Sequence, residues 1–147
     1  MRFYPKDALA SLDADKYIEL TQELAKINRH DIAGELSTHP AVFSYYSGLT
    51  LTQKGKLDRQ NNSLLNLFSF HRMTVSDSNK KAGSKATATY LEDCVNSLPE
   101  IQNLRESIQK EEEIYLLLKS ICTMLEHKKD MLVQLSANLR TETKLYN

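Results

Sequence analysis

The stretch IYLLLKSICTMLEHKKDMLVQLSANLR, residues 114–140, carries leucine at 118, 125, 132 and 139. Ile114, Ile121 and Leu135 stand three or four residues from those leucines, so the apolar positions trace the a and d lines of a coiled-coil seam. Upstream, Ser97, Pro99 and Glu100 read as a capping box with proline in the first turn, the start of the same helix. A helix of about 45 residues is about 65–70 Å long at 1.5 Å per residue. A chain of 147 residues cannot wrap a compact core around it. The stripe is therefore expected to be buried against another long helix, from the same chain or from a partner. Its polar positions, Glu111 and Lys128, interrupt the seam and are expected to help select register and oligomer state.

A second long helix is predicted over 40–73. Ser37 or Thr38 caps it and Pro40 stands in its first turn. Val42, Tyr46, Leu49, Gln53, Lys56, Gln60, Leu64, Leu67 and His71 alternate four and three apart, with apolar ends and a polar middle. Gly48 and Gly55 each cost such a helix about 1 kcal/mol relative to Ala. Before it, Asp13 caps a first helix over roughly 14–28, with Tyr17, Leu20, Leu24 and Ile27 on one face. Residues 74–86 read as a polar loop holding Lys80, Lys81 and Lys85. Thr89 and Glu92 read as the capping box of a short helix over about 90–96. The fold class is all-α: a long antiparallel helical hairpin, 39–147, preceded by an arm and short helix, 1–38.

The formal net charge is zero, with charged residues at 26% and aromatics at 7%. Residues 36–89 nevertheless hold seven cations against two carboxylates, and the remainder carries the opposite surplus. A basic face on an acidic body is one consequence; intermixed charges on a solvated surface are the other. No run of about 18 apolar residues is present, so no membrane span is expected. The first residues, Met1-Arg2-Phe3-Tyr4-Pro5-Lys6, lack the apolar core of a secretory signal, and Cys94 and Cys122 sit in ordinary helical patterns. A reduced cytoplasmic protein is the expectation.

No catalytic pattern stands out. There is no phosphate loop, no GxSxG and no HExxH, and His30, His39, His71 and His127 are scattered without ligand spacing, as surface or helix-end histidines are. The expectation is a protein without enzymatic activity, cofactor or metal. The chemistry that does recur is cationic and aromatic. Phe43, Tyr45, Tyr46, Phe68 and Phe70 accompany Lys54, Lys56, Arg59 and Arg72. Cations that follow a phosphate backbone and rings that stack on bases are what sequence-tolerant single-strand binding needs. Rings at helical spacing more often face a core, which makes the lysine loop the stronger contact.

The order of these parts resembles the UvsY-like phage recombination mediators. The resemblance rests on Lys85-Ala86-Thr87-Ala88-Thr89-Tyr90-Leu91-Glu92, on Pro99-Glu100-Ile101-Gln102-Asn103-Leu104, and on the seam through Ile114, Leu118, Ile121 and Leu125. His127-Lys128-Lys129 then leads into Met131, Leu132 and Leu135, and the helix over 40–73 matches the family's preceding helix. It covers residues 40–140; residues 1–38 extend beyond the family core. The resemblance implies a small all-α subunit in a ring-like homo-oligomer. Such a protein binds single-stranded DNA, helps to remodel the single-strand binding protein and loads a RecA-like recombinase. It implies DNA contacts at Lys54, Lys56, Arg59, Arg72, Lys80, Lys81 and Lys85. The apolar seam of Ile114, Leu118, Ile121, Leu125, Leu132, Leu135 and Leu139 is the expected oligomer interface. An adaptor coiled coil that binds only protein fits the leucine seam and neutral charge equally, and a helicase loader shares the architecture.

Overall fold

The computed structural model describes residues 14–145, which form four helices: α1 Ala14–Ala25, α2 Ile32–Lys81, α3 Ala88–Asn96 and α4 Pro99–Leu145. The all-α helical hairpin is what the structure has, α2 and α4 being its two long arms. Two compact units divide it. One comprises Met1–Thr52 and Ile114–Asn147, of which 14–52 and 114–145 are described; the other is Gln53–Glu113. Within each unit α2 and α4 pair antiparallel. Glu35 meets Lys128 and Thr50 meets Cys122 in the first. In the second, Gln53 meets Glu111, Gln60 meets Ser107 and His71 meets Glu100. No break falls at residue 38, which lies inside α2.

The first unit has a three-helix core. Leu20 and Leu24 of α1, Val42 and Tyr46 of α2, and Leu118, Ile121 and Leu125 of α4 are all buried, with Tyr17, Phe43, Tyr45, Leu49 and Ile114 packed against them. Full burial of side chains of this size contributes about 1.5–3 kcal/mol each. The stripe of α4 thus finds its company in the same chain. In the second unit Leu57, Leu91, Val95, Ile101 and Ile108 are buried, so the short α3 contributes two of the core side chains.

The helix ends differ from the sequence expectations in instructive ways. α1 stops at Ala25, short of Ile27. α2 begins eight residues before Pro40, because Asp31 caps it: its Oδ1 accepts from the Gly34 amide at 2.9 Å, and Glu35 Oε1 accepts from the Asn28 amide at 3.2 Å. The hydroxyls expected to cap a helix at Pro40 turn back instead. Ser37 donates to the Gly34 carbonyl at 2.8 Å, and Thr38 to the same carbonyl at 3.0 Å. α2 also continues past Met73 through most of the expected loop. Thr74 and Ser78 donate to carbonyls four residues earlier, which absorbs their polar groups within the helix. It ends in a Schellman arrangement, with Gly83 at φ 76°, its amide on the Lys80 carbonyl and the Ser84 amide on the Asn79 carbonyl.

The short helix starts earlier than expected, capped by Thr87, whose Oγ1 accepts from the Tyr90 amide at 3.2 Å. Ser97 does not cap α4. Its hydroxyl donates to the Cys94 carbonyl at 2.8 Å, and α4 opens on the Leu98 carbonyl with Pro99 in the first turn.

Candidate nucleic-acid interface and the buried polar positions

The seven cations expected to contact DNA all lie in the Gln53–Glu113 unit. Six are on α2 and Lys85 follows its end. A helix turns about 100° per residue, so Lys54 and Arg72 share one flank of α2, Lys56, Arg59 and Lys81 the opposite flank, and Lys80 points away from the seam. They form no single stripe. Lys56 pairs with Glu111, Arg72 Nη2 lies 3.9 Å from Glu92 Oε1, and Lys80 Nζ lies 3.5 Å from Asp77 Oδ1. Lys54, Arg59, Lys81 and Lys85 are exposed and have no ion pair among the described residues. The unit as a whole holds nine Lys and Arg against nine Asp and Glu, so the basic segment of α2 is balanced by the acidic helices packed on it.

Of the five rings, Tyr46 is buried, Phe43 and Tyr45 pack on the core, Phe68 is half-buried, and Phe70 is 63% exposed. Tyr90, half-exposed on α3, joins Phe70 as a ring at the surface. A hydrogen bond with the Cys94 side chain pushes its hydroxyl above the usual phenol range.

Packing buries four of the seven residues expected at the oligomer interface. Leu118, Ile121, Leu125 and Leu132 are 3% exposed or less inside this chain, and Ile114 and Leu135 are half-buried. Helices α1 and α2 cover the first three, because their own apolar stripes face the same line. Leu139 alone of the seven is half-exposed.

The two polar interruptions of the α4 seam are partnered within the chain. Glu111 accepts from Gln53 Nε2 at 2.6 Å and pairs with Lys56; its main-chain carbonyl accepts from the same amide group at 2.9 Å. The Lys56 hydrogen bond holds the Glu111 carboxyl below the usual range, with the Gln53 bond acting in the same direction against burial. Lys128 is buried and donates to the Leu24 and Lys26 carbonyls at 3.0 and 2.7 Å. His39 is also buried, at 5% exposure, contrary to the surface placement expected of it. Its spacing from Val42 and Tyr46, three and then four, extends the seam of α2 upstream and is the sequence signal for its burial. His71 is half-buried against Glu100.

Among the described residues no group of three His, Cys, Asp or Glu side chains could hold a metal ion, and no helix is long and apolar enough to cross a membrane. Comparison with protein-family models, with curated proteins and with solved structures returned no match.

Proposed function

We propose that this protein is a non-enzymatic recombination mediator that binds single-stranded DNA and assists loading of a RecA-like recombinase onto strands coated with single-strand binding protein. The observation that carries this reading is the end of α2. Lys80 and Lys81 occupy its last turn, and Lys85 follows two residues after the Gly83 turn, all three exposed and only Lys80 ion-paired. A phosphate backbone can approach such cations without displacing packed carboxylates, and Lys54 and Arg59 offer further unpaired contacts. Each contact is weak. A homo-oligomer repeating the site along one strand raises avidity without strengthening any single contact. The subunits work in the cytoplasm, the host's if the gene is a phage's. The test is binding of a fluorescent oligonucleotide by wild type and by Lys80→Ala/Lys81→Ala/Lys85→Ala. For single strands log K falls with log salt at about 0.7 per phosphate neutralised, so loss of three contacts lowers the slope by about 2. Equal slopes and affinities would refute the assignment.

One observation favours a second reading, an adaptor that binds only protein. Lys56–Glu111 and Arg72–Glu92 tie the basic segment of α2 to α4 and α3, consuming charge that nucleic acid would need. An adaptor would leave the oligonucleotide unbound even at low salt.

A further inference from the structure

Lys128 is a cation almost removed from water: its side chain is 3% exposed. Nζ donates to the Leu24 carbonyl and the Lys26 carbonyl and lies 2.9 Å from Glu35 Oε2. Leu24 and Lys26 flank the end of α1, where the last carbonyls lack an intrahelical donor and the helix dipole leaves partial negative charge. Glu35 stands in the first turn of α2. One ammonium from α4 therefore ties the end of α1 to the start of α2. With twelve residues α1 is too short to persist as a helix in water alone. Its order depends on this tie, on Leu20 and Leu24, and on Tyr17, which packs on the core and donates its hydroxyl to Ser120 Oγ at 2.7 Å.

His39 lies one turn along α2 from Glu35, and its Nδ1 has no hydrogen-bond partner among the described residues. Burial, then the charges of Lys128 and Lys129, hold the imidazole below its ordinary value; Glu35 and a backbone hydrogen bond with Leu125 act the other way. Glu23 of α1, Lys26 just beyond it and Asp31 at the cap of α2 line the cavity that Lys128 and Glu35 share. The site is balanced when His39 is neutral, with one buried ammonium facing the Glu35 carboxylate.

We propose that Glu35, His39 and Lys128 form an acid-released clasp on α1: a proton taken up from solvent at His39 Nδ1 sets a second cation beside Lys128, the ammonium withdraws from the Leu24 and Lys26 carbonyls, and α1 lifts from the apolar strip of Val42, Tyr46, Leu118, Ile121 and Leu125. The closed state binds fewer protons than the open one. The clasp is thus fully effective above the ordinary imidazole value of 6.5 and weakens as pH falls from there toward the folded value. Across that window the closed-to-open ratio of α1 changes by at most about tenfold per pH unit.

Hydrogen exchange of the α1 amides tests this, at about pH 7.5 and about pH 5 and corrected for intrinsic rates. Amides of α2 between Gln53 and Asn79 serve as the internal reference. In wild type, α1 protection falls several-fold in acid while the reference holds. In His39→Gln, which cannot titrate, α1 protection is the same at both values. In Lys128→Met, α1 is already poorly protected at the higher pH. Equal acid loosening in wild type and His39→Gln would overturn the proposal. So would α1 protection in wild type that does not change with pH, loss of the reference amides in step with α1, or undiminished α1 protection in Lys128→Met.

Discussion

Gly34, in the first turn of α2, and Gly48, in its interior, have surroundings that give them opposite roles. A Cβ at Gly34 would overlap the Asp31 carboxylate that caps the helix, whereas a Cβ at Gly48 meets nothing within 4 Å. Replacing a helical glycine by alanine gains about 1 kcal/mol, and losing an N-cap forfeits about the same. Gly48→Ala is therefore expected to raise Tm by about 2–4 °C, and Gly34→Ala to leave it unchanged or lower it. Thermal unfolding followed by circular dichroism decides this; a Tm gain in Gly34→Ala equal to that in Gly48→Ala would mean that Asp31 does not cap α2. Lys128 shows what is illegible at this scale. In the sequence it is a polar residue on a leucine line, and such a residue reads as an interruption. Its true partners, the Leu24 and Lys26 carbonyls, lie more than a hundred residues away and are backbone atoms, which no side-chain pattern announces.

At the scale of the element, periodicity carried well and boundaries did not. The leucine recurrence through Leu118, Leu125 and Leu132 identified α4 and the need for a long helical partner, because burial of a stripe leaves a regular trace. The polar middle of α2 was legible too, and Gln53, Lys56 and Gln60 do face polar groups of α4. Both ends of α2 were misplaced for one physical reason: Ser, Thr and Asn look like loop residues, but here their side chains bond to carbonyls one turn earlier and leave the helix intact. Lys80-Lys81-Ala82-Gly83 was the true stop signal, cations in the last turn and glycine just beyond it. Pro40, read as a first-turn residue, lies in the interior, where it leaves the Leu36 carbonyl without an intrahelical donor. Pro40→Ala is expected to stabilise the protein by about 1–3 kcal/mol, read as a higher urea midpoint at unchanged m value. A lower midpoint would show that the proline ring is needed where it stands.

For the whole molecule, the distribution of burial changes what the seam means. Had Leu118, Ile121 and Leu125 met solvent, a partner chain would have been obligatory. Their burial against α1 and α2 removes that requirement, and the proposed homo-oligomer needs other surfaces. The surplus of cations in residues 36–89 was legible in the sequence, but its neutralisation by α3 and α4 was not, since it depends on which acidic residues the hairpin brings opposite it. What survives pairing is Lys54, Arg59, Lys81 and Lys85, a smaller set than the seven residues the resemblance implies, and it is on these, with Lys80 in its exposed pair, that the proposed single-strand binding rests. The direct measurement is anisotropy of a labelled oligonucleotide titrated with the wild-type protein at about 50 mM and about 300 mM salt. Saturable binding at the lower salt that weakens steeply at the higher is the predicted result. Absence of binding at the lower salt would contradict it.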